Sequence, residues 1–382
     1  MTDERQSVSL DGVALLRRLV AVDTTSARSN LPLIELLEEE LHRIGFVTER
    51  QEWTDESSGA AKANLIAQRG SGRPALALVG HTDCVPFDPD WAGALAGESV
   101  EGKLYGRGAA DTKGFIAAAL TASARTHTHR LPLLLVFTAD EEVGCLGAKR
   151  LVEFFNEPAR AGQTPLRAII GEPTRLIPVI GHKGYCQADI EIQGAEGHSA
   201  FPETGASAIL AAGRLLRGLE ELGVRLATDA DPLFTPPYTT LNVGLISGGK
   251  AKNVIPGSCR MTLEWRPIPG QDPRQVLLEV QRLCADMSSG RIRASVKPSR
   301  LDSGVLVQPG ELVRFLEGET GNGPETVPFG TELPQLCALG AEAAVFGPGD
   351  IRTAHRTGEF IPLDELEAAT KILGRAIDRF CS

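Results

Sequence analysis

The sequence predicts an α/β protein in which a central, mostly parallel sheet is interrupted by an inserted α+β domain of ferredoxin-like order. Three observations carry this. Up to about residue 180, apolar runs of strand length alternate with helical patterns. From about His182 the texture changes to alternating, half-exposed strands, and after PSRLDSG the first texture returns. One domain is therefore expected over 1–181 and 298–382, and a second over 182–297. A chain of 382 residues with 42% hydrophobic content can bury two such cores.

Taken in order, DGVALLRRLV and LPLIELLEEELHRIGF read as helices. The second has Pro32 near its first turn and Leu33, Ile34, Leu37, Leu41 and Ile44 on one face. FVTERQEW, NLIAQRG, PALALVG and PLLLVFTA read as strands, with the helix GFIAAALTASA between the last two, and RAIIGEPT supplies the next strand. In the insertion, GYCQADIEIQG, SAILAAGRLLRGLEEL, TTLNVGLI, SCRMTLEWRPI, QVLLEVQRLCADM and RIRASV run strand, helix, strand, strand, helix, strand. ELVRFLEGE, AEAAVFGPG and LDELEAATKILGRAIDRF then resume the α/β alternation.

Lys and Arg number 39 against 49 acidic residues, a formal net charge of -10, which argues against general affinity for nucleic acid or anionic membrane. Small molecules remain as partners. The start MTDERQSVSL lacks the basic and apolar segments of an export signal, and the apolar runs are too short to span a bilayer. Seven cysteines without a CxxC pair suit a reducing compartment, so the cytoplasm is expected. GLISGGKA nearly spells a phosphate loop, but Ala251 stands where Ser or Thr would hold magnesium. His42, His127 and His129 read as surface residues.

The polar residues form a pattern. PALALVG is followed by HTDCVP, PLLLVFTA by DEEVG, RAIIG by EPT, and AAVFGPG by DIRTAHRTGEF. Four strands thus deliver His, Asp or Glu at their C-terminal ends, where open α/β sheets place their ligands. A fifth acid, Asp111, precedes a helix in GRGAADTKG. His81 and His355 offer imidazole, and Asp111, Glu142 and Glu172 offer carboxylate, a donor set suited to zinc, cobalt or manganese. Five ligands are too many for one tetrahedral ion with an open position and suit two ions bridged by one carboxylate, for which Asp111 is the candidate. The crowded acids of TADEEVG, which would otherwise repel one another, then have cations to compensate them.

GHTDCVP, GRGAADTKG, TADEEVG, GEPT, GHSAFP, NVIP and the late His355 together resemble the dinuclear-zinc M20 family of deacylases and peptidases, in order and over nearly the whole chain. The resemblance implies a zinc-peptidase-like catalytic domain and a lid domain that also dimerises, hence a homodimer. It implies two Zn2+ per chain, with Co2+ a possible substitute: one ion on His81, Asp111 and Glu172, the other on Asp111, Glu142 and His355. Asp83 would orient the His81 ring, and Glu141 would act as general acid and base. His198 would reach the substrate carbonyl across the dimer, Arg266 would fork onto a substrate carboxylate, and Asn253 would cap or contact substrate. Asp140 is left as a solvated or supporting acid.

Within the family, HKGY, PFDPDW, FGTELP and FGPGDIRTAH resemble the group acting on N2-acetylornithine, so the implied substrate is an N-acyl amino acid with that compound first. Glu332 would contribute an acid near it. Thr357 and Gly358 depart from the Pro-Asp-Glu run common in that group, which touches side-chain specificity. A desuccinylase acting on succinyl-diaminopimelate and an M20-type exopeptidase are the rivals among enzymes, and a non-catalytic amino-acid-binding protein is the rival outside them.

Overall fold

The computed structural model describes residues 10–126 and 130–382. The opening segment weighed as an export signal is outside the described residues up to Ser9, as are His127 and His129. The chain divides into two compact units. The larger comprises the chain up to Ile180 with Val307–Glu325 and Thr331–Ser382, and the smaller comprises Gly181–Leu306 with Thr326–Gly330.

The larger unit is built on a mixed sheet in which Val47–Thr54, Ala61–Arg69, Leu133–Thr138, Leu76–His81, Arg167–Ile170 and Glu342–Val345 lie side by side in that order. The last four run parallel to one another, and the first two are antiparallel additions at one edge. Every residue of Leu76–His81 and Leu133–Thr138 is buried, as strands covered on both faces require. Gly114–Arg125 is buried along its length up to Ala124 and packs between Gly12–Val20 and Leu363–Cys381. Asp11 starts Gly12–Val20 by accepting from the amides of Val13 and Ala14 at 2.9 and 3.2 Å.

Several elements escape the sequence reading, among them one helix and one small sheet. Leu146–Phe155 is a helix with no capping side chain, because Cys145 stands at its start in a left-handed conformation, so no start signal marks it. Glu98–Val100, Lys103–Tyr105 and Phe360–Pro362 form a small separate sheet from strands too short to show periodicity.

In the smaller unit the strands lie in the order Thr240–Gly248, Ser258–Arg266, Tyr185–Gln193, Arg293–Asp302, all antiparallel. That arrangement, with Ala208–Leu226 and Arg274–Met287 packed into the same apolar core, is ferredoxin-like. The unit extends beyond residue 297 because its last strand continues through Pro298 to Asp302. Pro298 is tolerated there because the strand is at the sheet edge, where a bulge between Pro298 and Arg300 absorbs it. GLISGGKA lies at the tip of an antiparallel hairpin, with no helix behind it to hold a phosphate. No helix among the described residues is long and apolar enough to cross a membrane.

Candidate metal centre

Because the four central strands are parallel, their C-terminal ends share one edge of the sheet. From Leu76–His81 the chain adds Leu133–Thr138 on one side and then Arg167–Ile170 on the other, so this strand marks the topological switch point. His81 ends the first strand, Asp140, Glu141 and Glu142 follow the second, Glu172 follows the third, and His355 lies on the loop after Val345. Gly171 lets the third strand end close to the helix: a Cβ there would lie 2.1 Å from the Phe115 ring.

Two overlapping triads result. His81, Asp111 and Glu172 form one and Asp111, Glu142 and His355 the other, each with its donor atoms within 4.8 Å of one another. Asp111 divides its carboxylate between them, with Oδ1 3.0 Å from His81 Nε2 and Oδ2 3.2 Å from His355 Nε2. Glu142 Oε1 is 3.0 Å from the same His355 nitrogen. Around an ion with bonds of ~2.0 Å, tetrahedral ligands stand roughly 3.3 Å apart. The donor set therefore fits two cations sharing Asp111. Asp111 is extended and does not cap the helix that follows, whose N-cap position falls to Lys113.

The support around these groups is specific. His81 Nδ1 lies 2.9 Å from the Asp83 carbonyl oxygen, which can only accept, so Nδ1 carries a proton and Nε2, 3.0 Å from Asp111 Oδ1, is the nitrogen that faces the triad. The Asp83 carboxylate is 3.6 Å from Nδ1, beyond hydrogen-bond reach. It instead accepts from the amides of Glu141 (3.0 Å) and Glu142 (3.3 Å) and from Ser26 Oγ (2.8 Å). Asp83 thus fixes the ring through its main chain and the acid pair through its side chain. Asp140 is not solvated: it is buried against Lys62 Nζ at 2.6 Å, and the same ammonium donates to the Ser26 carbonyl at 2.6 Å.

Charge is stored here without full compensation from the protein. Burial, opposed by the His81 imidazole and helped by the carboxylates of Glu142, Glu332 and Asp111, pushes Glu141 up to about 8. Burial also raises Glu142 and raises Glu172 well above the usual range. Asp111 goes the other way, because the two imidazoles outweigh its burial. Hydrogen bonds to Asp111 and Glu142 hold His355 up to about 10. Glu332 is buried with neither carboxylate oxygen hydrogen-bonded, and burial lifts it to about 7. Two dications would offset this crowding. Cys84, by contrast, is buried with its thiol raised by burial, as befits a packing residue.

The other residues singled out in the sequence lie in the smaller unit. His198 is exposed on the two-residue strand Gly197–His198, which pairs with Val254–Ile255, and its Nδ1 accepts from the Ala200 amide at 3.1 Å. Asn253 is brought beside it, its carbonyl accepting from Ser199 at 3.1 Å. Arg266 is half-buried, paired with Glu264 at 2.8 Å and stacked 4.5 Å from the Tyr185 ring centroid. Sequence reasoning missed Lys62, Ser26 and Arg107. Lys62 in AKANLIA offered no signal, since a strand lysine is ordinarily exposed.

Comparison with known proteins agrees with the geometry. Residues 77–379 match the family described as Peptidase family M20/M25/M40. An acetylornithine deacetylase from Myxococcus xanthus is 53% identical over 375 residues, covering 96% of this chain and 97% of that protein. Among solved structures, an aminopeptidase PepT from Bacillus cereus superposes with a TM-score of 0.76 at 17% identity, covering 97% of this chain and 98% of that one. A Bacillus subtilis protein described as a dinuclear metal binding peptidase from the M20 family superposes with a TM-score of 0.67 at 15% identity, with 97% of each chain covered. By this match and this identity over nearly its full length, the chain belongs to the M20/M25/M40 peptidase family.

Proposed function

We propose that this protein is a zinc-dependent amidohydrolase that removes the acetyl group from N2-acetyl-L-ornithine, a step of arginine biosynthesis. The observation that carries the reading is the division of the Asp111 carboxylate between two triads, with Glu141 adjoining the Glu142 of the second. The choice of substrate rests on the Myxococcus xanthus relative.

One zinc would be held by His81, Asp111 and Glu172 and the other by Asp111, Glu142 and His355. When bound, the pair supplies Lewis acidity toward the scissile carbonyl and lowers the pKa of water toward neutrality. Glu141 accepts a proton from the attacking water as its oxygen bonds to the acetyl carbon. It then delivers that proton to the amine nitrogen as the C–N bond breaks, leaving acetate and ornithine. Asp83 and the Lys62–Asp140 pair hold the acid loop still while the proton moves. In the lid, His198 serves the carbonyl oxygen, supplied in a homodimer by the second copy of the chain. Arg266 serves the substrate carboxylate, with Asn253 as a further contact. The cytoplasm is the proposed location, consistent with cysteines that are all free.

The test is amine release by zinc-loaded protein from N2-acetyl-L-ornithine, N-succinyl-diaminopimelate and a set of dipeptides. We expect kcat/KM for acetylornithine to exceed the others by at least about 100-fold, the discrimination a hydrogen-bonding site supplies. Preference for the succinyl compound or for dipeptides would transfer the assignment to a desuccinylase or an exopeptidase. No turnover of any of them by protein carrying two zinc ions would favour a binding protein.

A further inference from the structure

Beneath the shared aspartate lies a buried ion pair that the chemistry above does not use. Glu359 is fully buried and Arg107 is 2% exposed. Arg107 Nη1 donates to Glu359 Oε2 at 2.6 Å, and its guanidinium also lies 5.6 Å from the Trp91 ring centroid. The other carboxylate oxygen, Oε1, accepts from two consecutive main-chain amides, Ala110 at 3.0 Å and Asp111 at 3.2 Å. The main chain of Glu359 closes the same loop, its carbonyl accepting from Gly106 at 3.0 Å. A carboxylate withdrawn from water this completely is costly unless its partners are fixed, and here every partner belongs to the segment that ends at Asp111.

The segment carrying Glu359 also carries His355. Between them Gly358 turns the chain inward in the left-handed region, φ 81°, so that an outer imidazole and an inner carboxylate come from five consecutive residues. Glu359 is thus tied to two of the three donors of the Asp111, Glu142, His355 triad but to only one of the His81, Asp111, Glu172 triad. The departure at Thr357 and Gly358, read from the sequence as bearing on specificity, sits on a clamp under the metal ligands.

We propose that Glu359 and Arg107 are positioning residues that orient the bridging aspartate and tie it to His355, so that they set the affinity of the second metal site more than that of the first. The inference rests on the two-zinc reading above. Removing Glu359 frees the Asp111 main chain and the turn that presents His355, whereas His81 ends its own strand and Glu172 follows its strand, neither touching Glu359. Partners of metal ligands commonly govern affinity by 10- to 100-fold.

The experiment titrates metal-free protein with zinc against a competing fluorescent chelator, resolving two binding constants, for the wild type, Glu359→Ala, Glu359→Gln and Arg107→Met. The wild type should take two ions. In Glu359→Ala one of the two constants should fall at least about tenfold and the other by less than about threefold. Glu359→Gln keeps the volume and an oxygen facing the two amides but turns an NH2 toward Arg107, so an intermediate loss is expected, with Arg107→Met similar. Hydrogen exchange in the metal-free state checks that each variant is folded. If Glu359→Ala does not fold, Glu359→Gln decides. Equal weakening of both sites, or two wild-type constants in a folded variant, would overturn the inference while leaving the two-zinc reading intact. A wild-type stoichiometry below two would overturn both.

Discussion

The two units keep their charges differently. The larger buries His81, Asp83, Asp111, Asp140, Glu172 and Glu359 at one edge of its sheet, where carboxylates outnumber their cationic partners. The smaller has an apolar core of Ile190, Leu215, Leu263, Trp265 and Val280, and its ion pairs, such as Arg217–Glu221 and Arg260–Glu191, lie on its surface. Exposed pairs of that kind contribute little, about 0–1 kcal/mol each. One unit is therefore held by packing, while the other spends packing energy to assemble a site whose charge balance is completed by something it binds.

Chelation should separate the two most widely. Removing metal should abolish turnover, and zinc or cobalt should restore it. A ligand present at about 1,000 times its dissociation constant stabilises by roughly 4 kcal/mol, so hydrogen exchange in the segments 76–83, 107–114 and 138–145 should quicken while that of 185–193 and 258–266 does not. Uniform quickening in both units would erase the distinction.

Glu141→Gln sharpens the comparison within the edge itself. The amide keeps the shape and cannot carry a proton, so kcat should fall by about 10²- to 10⁴-fold with zinc content unchanged. Glu142→Gln should instead cost one ion and recover part of its activity at high zinc. Metal loss in the first variant with an intact pair in the second, measured by elemental analysis, would show the two roles reversed.

The sequence was legible where period and position coincide. Parallel strands are read from unbroken apolar runs, and the ends of such strands are where ligands gather, so the coming together of His81, Glu142, Glu172 and His355 could be read without coordinates. The ferredoxin-like insertion was legible from the order of its strands and helices. What could not be read is pairing at a distance. Lys62 against Asp140 spans 78 residues and Arg107 against Glu359 spans 252, and neither leaves a local periodic trace. The link of Asp83 to His81 was half legible: the family resemblance implies it and the HxD spacing allows it, but which oxygen makes it depends on the path of the backbone. The boundary expected at 297 fell short because the last strand runs on through Pro298, which an edge position tolerates.

Trp265→Ala tests the packed unit. The side chain is fully buried and its indole nitrogen donates to the Pro273 carbonyl at 2.9 Å. Truncation should cost the smaller unit about 3–5 kcal/mol, read as a lower denaturant midpoint for tryptic cleavage of its segments. Zinc stoichiometry should stay at the wild-type value, and its loss would mean that the metal edge depends on the core of the smaller unit.

The smallest expected effect is a pH slope confined to the metal-free larger unit. Without cations, Glu141 and Glu332 are pushed up to about 8 and about 7, chiefly by burial, and His355 is held up to about 10 by Asp111 and Glu142. Each of these groups binds its proton more tightly folded than unfolded. For the two glutamates the resulting stability is complete below about pH 4.3 and is lost as pH rises through 7 and 8; for the histidine it begins to be lost above about pH 6.5. The two glutamate slopes add between pH 5 and 8, and the histidine joins them with the same sign above about pH 6.5. Lys183 in the smaller unit is lowered to about 8, chiefly by burial, remains charged in both states through most of that window, and adds almost no slope there. Metal-free protein should therefore melt at a lower temperature in its larger unit at about pH 8 than at about pH 5, with no such fall in the smaller. Zinc should flatten the slope, because two dications favour the ionised carboxylates that burial penalises. Melting followed by segment-resolved hydrogen exchange measures both units at once, and a metal-free larger unit that gains stability as pH rises would show that its buried acids are compensated by the protein itself.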